Sequence, residues 1–202
     1  GVEGSQLDAS VTSRVRVRTT DDDRYFTDTY QAMPRYGFTR LFQNMLDHRN
    51  IRIELGASFN EVRRSHRGPV VYTGPIDQYF GGRCGPLPYR SLAIEHVTID
   101  VPVYQTAAVI NYPDTRPYTR ITEFKYLTGQ QHPRTSIAME YPRAEGEPYY
   151  PVPSPASAAA YSRYRMLAAG ERDVWFLGRL GSYRYYNMDQ VVAQALVVSR
   201  KL

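Results

Sequence analysis

The sequence predicts an α+β fold built around a twisted antiparallel sheet, on three observations. Residues 89–100, 105–111, 119–127 and 134–141 form four successive runs with strand character. Pro102, Pro113-Asp114, Gly129 and Pro142 separate them with turn chemistry. Strands that follow one another with no crossover helix pair antiparallel and leave one face wet. Helical patterns then flank this block on both sides rather than alternating with it, which argues against a purely α/β chain.

The elements follow in order. Val11, Val15 and Val17 alternate with Arg14, Arg16 and Arg18, the period of a half-buried strand, and Asp21-Asp22-Asp23 reads as a loop. Within 36–47, Phe38, Leu41, Phe42, Met45 and Leu46 recur at helical spacing, with Arg40 and Gln43 on the other side. A strand over 51–55 ends at Gly56, and a second over Val70–Tyr72 stops at Gly74-Pro75. After the sheet, 151–155 is a stiff linker and 156–169 a helix. A strand at 174–177, a loop at 178–186 and a helix over 187–201 close the chain. Asn187 is suited to cap that last helix, with Gln190 at the capping-box position.

Composition bounds the function. At 42% hydrophobic, 22% charged and 13% aromatic the chain is neither disordered nor short of core material. No apolar run approaches membrane-spanning length and no leader opens the sequence, so a soluble, cytoplasmic protein is expected. A single cysteine, Cys84, excludes a disulfide framework and a cysteine-built zinc site. His48, His66, His96 and His132 are dispersed, so no metal is expected. Of 25 Lys and Arg residues only Lys125 and Lys201 are lysine, leaving 23 arginines beside 18 tyrosines. Arginine forks suit phosphate, and with tyrosine they suit nucleic acid or a nucleotide sugar; a genomic bias toward arginine gives the same composition. The arginines are scattered, and the densest group, Arg63, Arg64 and Arg67, sits in a turn with His66 and Gly68, which weighs against nucleic acid.

Two places invite an anion. At the chain's end, Gly178-Arg179 and a tyrosine-rich loop lead into a capped helix, whose N-terminal N–H groups accept phosphate; many such units bind nothing. In the sheet, Arg90 and Arg120 lie near Tyr89, Tyr118, Tyr149 and Tyr150. They suit a diphosphate clamp, but the pattern alone favours cross-strand ion pairs, such as Arg120 with Glu140 or Arg90 with Glu123. No GxSxG, HExxH, Walker or GxGxxG motif is present, and Cys84 has no histidine beside it in sequence.

Five ordered motifs carry a resemblance: Val71-Tyr-Thr-Gly-Pro-Ile-Asp-Gln-Tyr-Phe80; Tyr89-Arg-Ser-Leu92; Pro117-Tyr-Thr-Arg-Ile121 with Glu123; Glu147-Pro-Tyr-Tyr-Pro151; and Gly178-Arg-Leu-Gly-Ser-Tyr-Arg-Tyr-Tyr-Asn-Met-Asp189. Together they resemble the second, substrate-binding half of the UDP-galactopyranose mutase family. The resemblance implies an isomerase that interconverts UDP-galactopyranose and UDP-galactofuranose for polysaccharide synthesis. Reduced FAD would do the covalent chemistry through a flavin–sugar adduct, while the protein positions and stabilises charge. It further implies that 34–80 and 171–202 contribute to an incomplete FAD-binding α/β domain, the rest of the chain forming the substrate domain.

By motif, Arg18 matches a mobile-loop arginine and Arg120 the arginine holding the substrate diphosphate. Tyr150 and Tyr185, and Tyr30 with them, match phosphate-contacting tyrosines. Arg90 and Asn111 match pocket-lining residues, with Glu140 close by. Arg179 matches the arginine on the FAD pyrophosphate; Asn187, Met188, Asp189, Gln190 and Val191 match the segment meeting the flavin nucleotide. Three departures stand out. Asn187 replaces the family's usual Asp, and the stretches 111–120 and 140–150 look short. The glycine-rich FAD loop, the flavin-side histidine and the uracil-stacking aromatics belong upstream of Gly1. The expectation is therefore a fragment that neither binds FAD nor turns over alone. Its partners would be the UDP-sugar, the missing half of the same protein and a second copy in a homodimer. A non-catalytic nucleotide-sugar binding module and a nucleic-acid binder are the alternatives.

Overall fold

The computed structural model describes residues 19–21 and 27–202, so Arg18 and the strand expected over 11–18 lie outside the described residues. Helix and antiparallel sheet both appear, as the α+β reading expects. The described chain divides into two compact units, one of residues 19–21, 68–93 and 141–202, the other of 27–67 and 94–140.

In the second unit the chain opens with helix α1 (Gly37–Leu46), close to the expected span. Its Phe38, Leu41, Phe42, Met45 and Leu46 do line up, yet all five are exposed and no residue of the helix is buried. The expected strand at 51–55 is irregular and exposed. Helix α2 (Phe59–Ser65) was not expected, and it takes Arg63 and Arg64 out of the predicted turn. Its signal was present in Ser58 and Glu61: Glu61 Oε2 accepts the Ser58 N–H at 3.4 Å across a capping box.

The sheet of this unit runs β3 (Val109–Asn111), β4 (Arg120–Glu123), β5 (Thr135–Arg143), then β2 (Tyr89–Ile99), with β2 and β5 continuing into the other unit. β3–β4 and β4–β5 are antiparallel, placing Asn111 opposite Arg120 and Arg120 opposite Glu140. Two strands are shorter than expected. β3 begins only at Val109, because Gln105 turns inward to donate to the carbonyls of Ala107, Ala108 and Ile121. β4 ends at Glu123, where helix α4 (Phe124–Thr128) takes over and closes on Gly129 at φ +68°. The α3 label belongs to a turn of helix in the other unit, Ile76–Tyr79.

Along β4 burial alternates strictly: Ile121 and Glu123 point inward, Arg120 and Thr122 outward. Glu123 is fully buried, and three donors supply its carboxylate. Thr135 Oγ1 donates to Oε1 at 2.6 Å, the Gln105 N–H to Oε2 at 2.9 Å, and the Tyr104 N–H to Oε1 at 3.1 Å.

The other unit contains a parallel pair, β1 (Val70–Tyr72) with β7 (Val174–Phe176) in register from Val70↔Val174. Both strands fall in the stretches expected to join an α/β domain, but the sequence named no partner for either. Tyr72, Tyr79, Phe80 and Phe176 pack edge-to-face and stacked above it, with centroids 4.8–6.0 Å apart. Helix α5 (Pro155–Ala169) is capped by Ser154, whose Oγ accepts the Ser157 N–H, and Tyr164 from its inner face is fully buried. Pro151, expected to open the linker, instead ends β6 (Tyr150–Pro151), which pairs with the start of β2. A turn of helix, α6 (Gly178–Gly181), opens the stretch expected to be loop, and α7 (Met188–Ser199) closes the chain. No described helix is long and apolar enough to cross a membrane.

Burial alone pushes the Glu123 carboxyl up, but the hydrogen bonds from Thr135, Gln105 and Tyr104, with Lys125 nearby, hold it below its ordinary value. A depressed folded-state pKa means stability that is present above the unfolded value and lost as pH falls through the folded one. Glu123→Gln should cost about 1–3 kcal/mol at pH 7, because an amide cannot accept all three donors. In urea titrations the gap between wild type and variant should narrow steadily on acidification below pH 4.5. A gap independent of pH would show that Glu123 is not carrying this charge.

Candidate functional site

Strand register places Asn111, Arg120 and Glu140 in one row across three strands of the second unit. Asn111 Oδ1 accepts from Arg120 Nε at 2.9 Å, which fixes the plane of the guanidinium. Arg120 Nη1 stands 3.6 Å from Glu140 Oε1, beyond hydrogen-bond range, with the arginine side chain 43% exposed. The pairing of Arg120 with Glu140 that the sequence allowed is therefore real but loose. Its companion, Arg90 with Glu123, does not form: the Glu123 carboxylate is held by Thr135, Gln105 and Tyr104 instead. A cation whose plane is held through Nε keeps its Nη groups for an anion, and a planar fork presents them to two oxygens at once. Tyr30, in the same unit, is 94% exposed.

In the other unit a second group assembles. Arg90 lies opposite Tyr150 in the β2–β6 pair. The Tyr150 ring is 5.2 Å from Tyr185 and beneath the Arg179 guanidinium at 5.0 Å. Arg179 Nε donates to the Tyr186 carbonyl at 2.6 Å. That carbonyl comes from a loop that doubles back, since the Arg184 N–H reaches the Arg179 carbonyl at 2.9 Å. Gly178 supports the turn at φ +75°, and Gly181 passes so close to β1 that an added Cβ would lie 2.8 Å from the Tyr72 carbonyl oxygen. Asn187 then stands at the N-cap of α7 with an extended backbone, and Gln190 Oε1 accepts its N–H at 2.8 Å. Met188, Asp189 and Gln190 are exposed on the first turn and Val191 is half-buried.

Two buried residues that sequence reasoning did not single out shape this unit, Tyr183 in the loop and Asp77 before β2. Tyr183 adopts φ +45°, unusual for a bulky residue, and anchors itself by donating to the Pro88 carbonyl at 2.6 Å. Burial pushes its hydroxyl up to about 12. Asp77, buried in α3, accepts from the Leu87 N–H at 3.1 Å and the Tyr89 hydroxyl at 2.9 Å. Burial, reinforced by Asp77, raises the Tyr89 phenol far above its ordinary value, so it remains a donor. Both residues sit inside quoted motifs, but a motif does not distinguish a positioning residue from a contacting one. Among the described residues, no group of three or more His, Cys, Asp or Glu could hold a metal.

Two outcomes check this geometry on purified protein. Arg120→Ala should lower folding stability by no more than about 1 kcal/mol, since its ion pair is exposed and long. A larger loss in chemical denaturation would make Arg120 a structural residue. Asn187→Asp should change stability by only tenths of a kcal/mol, because the two cap about equally well. A melting shift equivalent to more than ~1 kcal/mol would remove Asn187 from the cap.

Comparison with known proteins now bears on these residues. Residues 1–185 match the family described as UDP-galactopyranose mutase. A "Probable UDP-galactopyranose mutase" of Klebsiella pneumoniae is 42% identical over 97% of this chain and 52% of its own length. A dTDP-fucopyranose mutase of Escherichia coli is 37% identical over 97% of this chain and 55% of its own length. A UDP-galactopyranose mutase of Mycoplasma pneumoniae is 36% identical over the whole of this chain and 56% of its own length. The chain thus spans about half the length of the curated relatives it matches, and on this evidence it belongs to the UDP-galactopyranose mutase family.

Proposed function

We propose that this chain is the substrate-binding half of a flavin-dependent mutase that interconverts UDP-galactopyranose and UDP-galactofuranose. The observation that carries the reading is the row Asn111–Arg120–Glu140. It presents a guanidinium fixed in plane by Asn111 and only loosely engaged by Glu140, on the outward face of a sheet. Such a fork meets the diphosphate of a nucleotide sugar and stabilises the charge that develops there as the bond to the anomeric carbon breaks. Arg90, Tyr150 and Tyr185 supply further polar lining in their own unit, and Arg18 and Tyr30 complete the set assigned from the resemblance.

The cofactor implied by the family is FAD, and the donors present fit part of it. Arg179 has its Nε committed to the Tyr186 carbonyl and its face to the Tyr150 ring, an orientation that leaves the two Nη groups for a pyrophosphate. Asn187 to Val191 bring the first turn of α7, a 12-residue helix whose dipole favours an anion. The chemistry that reduced FAD supplies when bound is a nucleophilic ring nitrogen for the anomeric carbon. Residues 34–80 and 171–202 belong to its domain in this reading, and the remainder of that domain comes from the polypeptide that the relatives carry beyond the matched region. That polypeptide also gives the exposed apolar face of α1 an occupant.

A second sugar nucleotide is favoured by one observation: the Escherichia coli relative, similar over nearly all of this chain, is named for dTDP-fucopyranose. A chimera tests both. The chain replaces the matched half of the Klebsiella pneumoniae relative, and each pyranose form is assayed with reduced flavin. Turnover of UDP-galactopyranose is expected to exceed that of dTDP-fucopyranose. Arg120→Ala should then cut kcat/KM by about 30-fold to several thousand-fold, the usual cost of removing one partner of a desolvated charge pair. Arg120→Lys should recover part, keeping the charge without the fork. Arg83→Ala, in an exposed glycine-rich turn, should stay within a few-fold. Equal efficiencies for Arg120→Ala and Arg83→Ala on folded protein would sink the assignment.

A further inference from the structure

Between helix α5 and the loop that follows α6 lies a cleft of about 770 Å³. Tyr185, Asn187 and Gln190, assigned above, form one wall of it, but the reading above uses none of the groups on its other walls. Tyr161, Ser162 and Arg165 line it from the helix, Arg184 and Tyr186 from the loop. Three features set these five residues apart. First, no carboxylate lines the cleft, so two guanidiniums face it without a counter-charge. Second, among the described residues neither Arg165 nor Arg184 has an ion-pair partner, and no side-chain hydrogen bond engages the hydroxyls of Tyr161, Ser162 or Tyr186. Third, the walls are held in place. The Tyr161 ring stacks on Tyr183 with centroids 5.5 Å apart, and the Tyr186 N–H is tied to the Arg184 carbonyl at 3.0 Å.

Forks with no carboxylate and hydroxyls with no partner are what a ligand made of acceptor oxygens needs. Burial raises the Tyr161 phenol even though Arg184 and Arg165 pull it down, so the hydroxyl stays a donor at neutral pH. We infer that this cleft is an anion-binding site for a phosphate or diphosphate group, gripped by Arg165 and Arg184 and oriented by the hydroxyls of Tyr161, Ser162 and Tyr186. The cleft shares Asn187 and Gln190 with the segment assigned to the cofactor, but the cofactor arginine, Arg179, does not line it, so the two readings rest on different guanidiniums.

Isothermal titration of the full 202-residue chain with inorganic pyrophosphate, at low ionic strength, tests this. Saturable binding is expected, weakened about tenfold or more by Arg165→Gln and by Arg184→Gln. Both arginines are exposed, so circular dichroism should show the fold unchanged. Tyr161→Phe, which removes only the hydroxyl, should weaken binding several-fold and serves as the second probe. Arg179→Ala should leave the affinity within a few-fold. UDP binding more tightly than pyrophosphate would assign the group to a nucleotide, and the reverse order to the free ion; either supports the site provided the Arg165 and Arg184 variants lose it. No heat at millimolar pyrophosphate would overturn the inference. So would binding that survives both arginine variants. Binding lost with Arg179→Ala alone would also overturn it, while leaving the cofactor assignment standing.

Discussion

The buried carboxylate of Glu123 constrains the sheet more than any other single group. A charge taken out of water is tolerated only where donors replace the lost hydration, and Thr135, Gln105 and Tyr104 do so here. Those three donors come from β5 and from the segment before β3, so satisfying Glu123 brings the neighbours of β4 into register. Side chains alternate along a strand, and a slip of one residue would bury Arg120 and expose Glu123. The outward position of the arginine at the proposed diphosphate site is thus enforced by an inward carboxylate three residues away that takes no part in binding.

The other unit solves a similar problem with tyrosine. Tyr79, Tyr89, Tyr164 and Tyr183 bury most of their rings and keep one polar atom each, and each atom finds a partner: Glu171, Asp77, the Gly85 carbonyl and the Pro88 carbonyl. Apolar body and directional tip together suit tyrosine, rather than phenylalanine, to these four positions. The anchoring matters most at Tyr183. With a positive φ and a buried ring, it fixes the reversal between Arg179 and Asn187, and hence how Arg179, Tyr185 and Tyr186 are presented. The same reversal sets Arg184 against the cleft beside α5. One strained residue therefore orients groups assigned to two different anions.

Much of this was legible in the residues. Helix α1 and helix α7 follow from spacing and from the Asn187–Gln190 cap, because a helix repeats its face every turn and its end needs a local acceptor. The antiparallel order of β3, β4 and β5 follows from turns too short for a crossover. Arg120 with Glu140 was one of two pairings the sequence allowed. The other, Arg90 with Glu123, was equally plausible by charge, and only the burial of Glu123 decided against it. Helix α2 was legible in Ser58 and Glu61, although the arginines that follow read as a turn.

What the sequence determined by itself is local: element types, caps, and the motifs by which the chain resembles the UDP-galactopyranose mutase family. What the tertiary structure decided depends on residues distant in the chain. The parallel pairing of β1 with β7 joins segments about a hundred residues apart. The cleft lined by Arg165 and Arg184 needs a helix and a loop to meet. The loose engagement of Arg120 by Glu140 is a matter of ångströms between two strands. Periodicity and turn chemistry act over a few neighbours, whereas pairing partners, burial and unspent donors exist only once the chain has closed on itself.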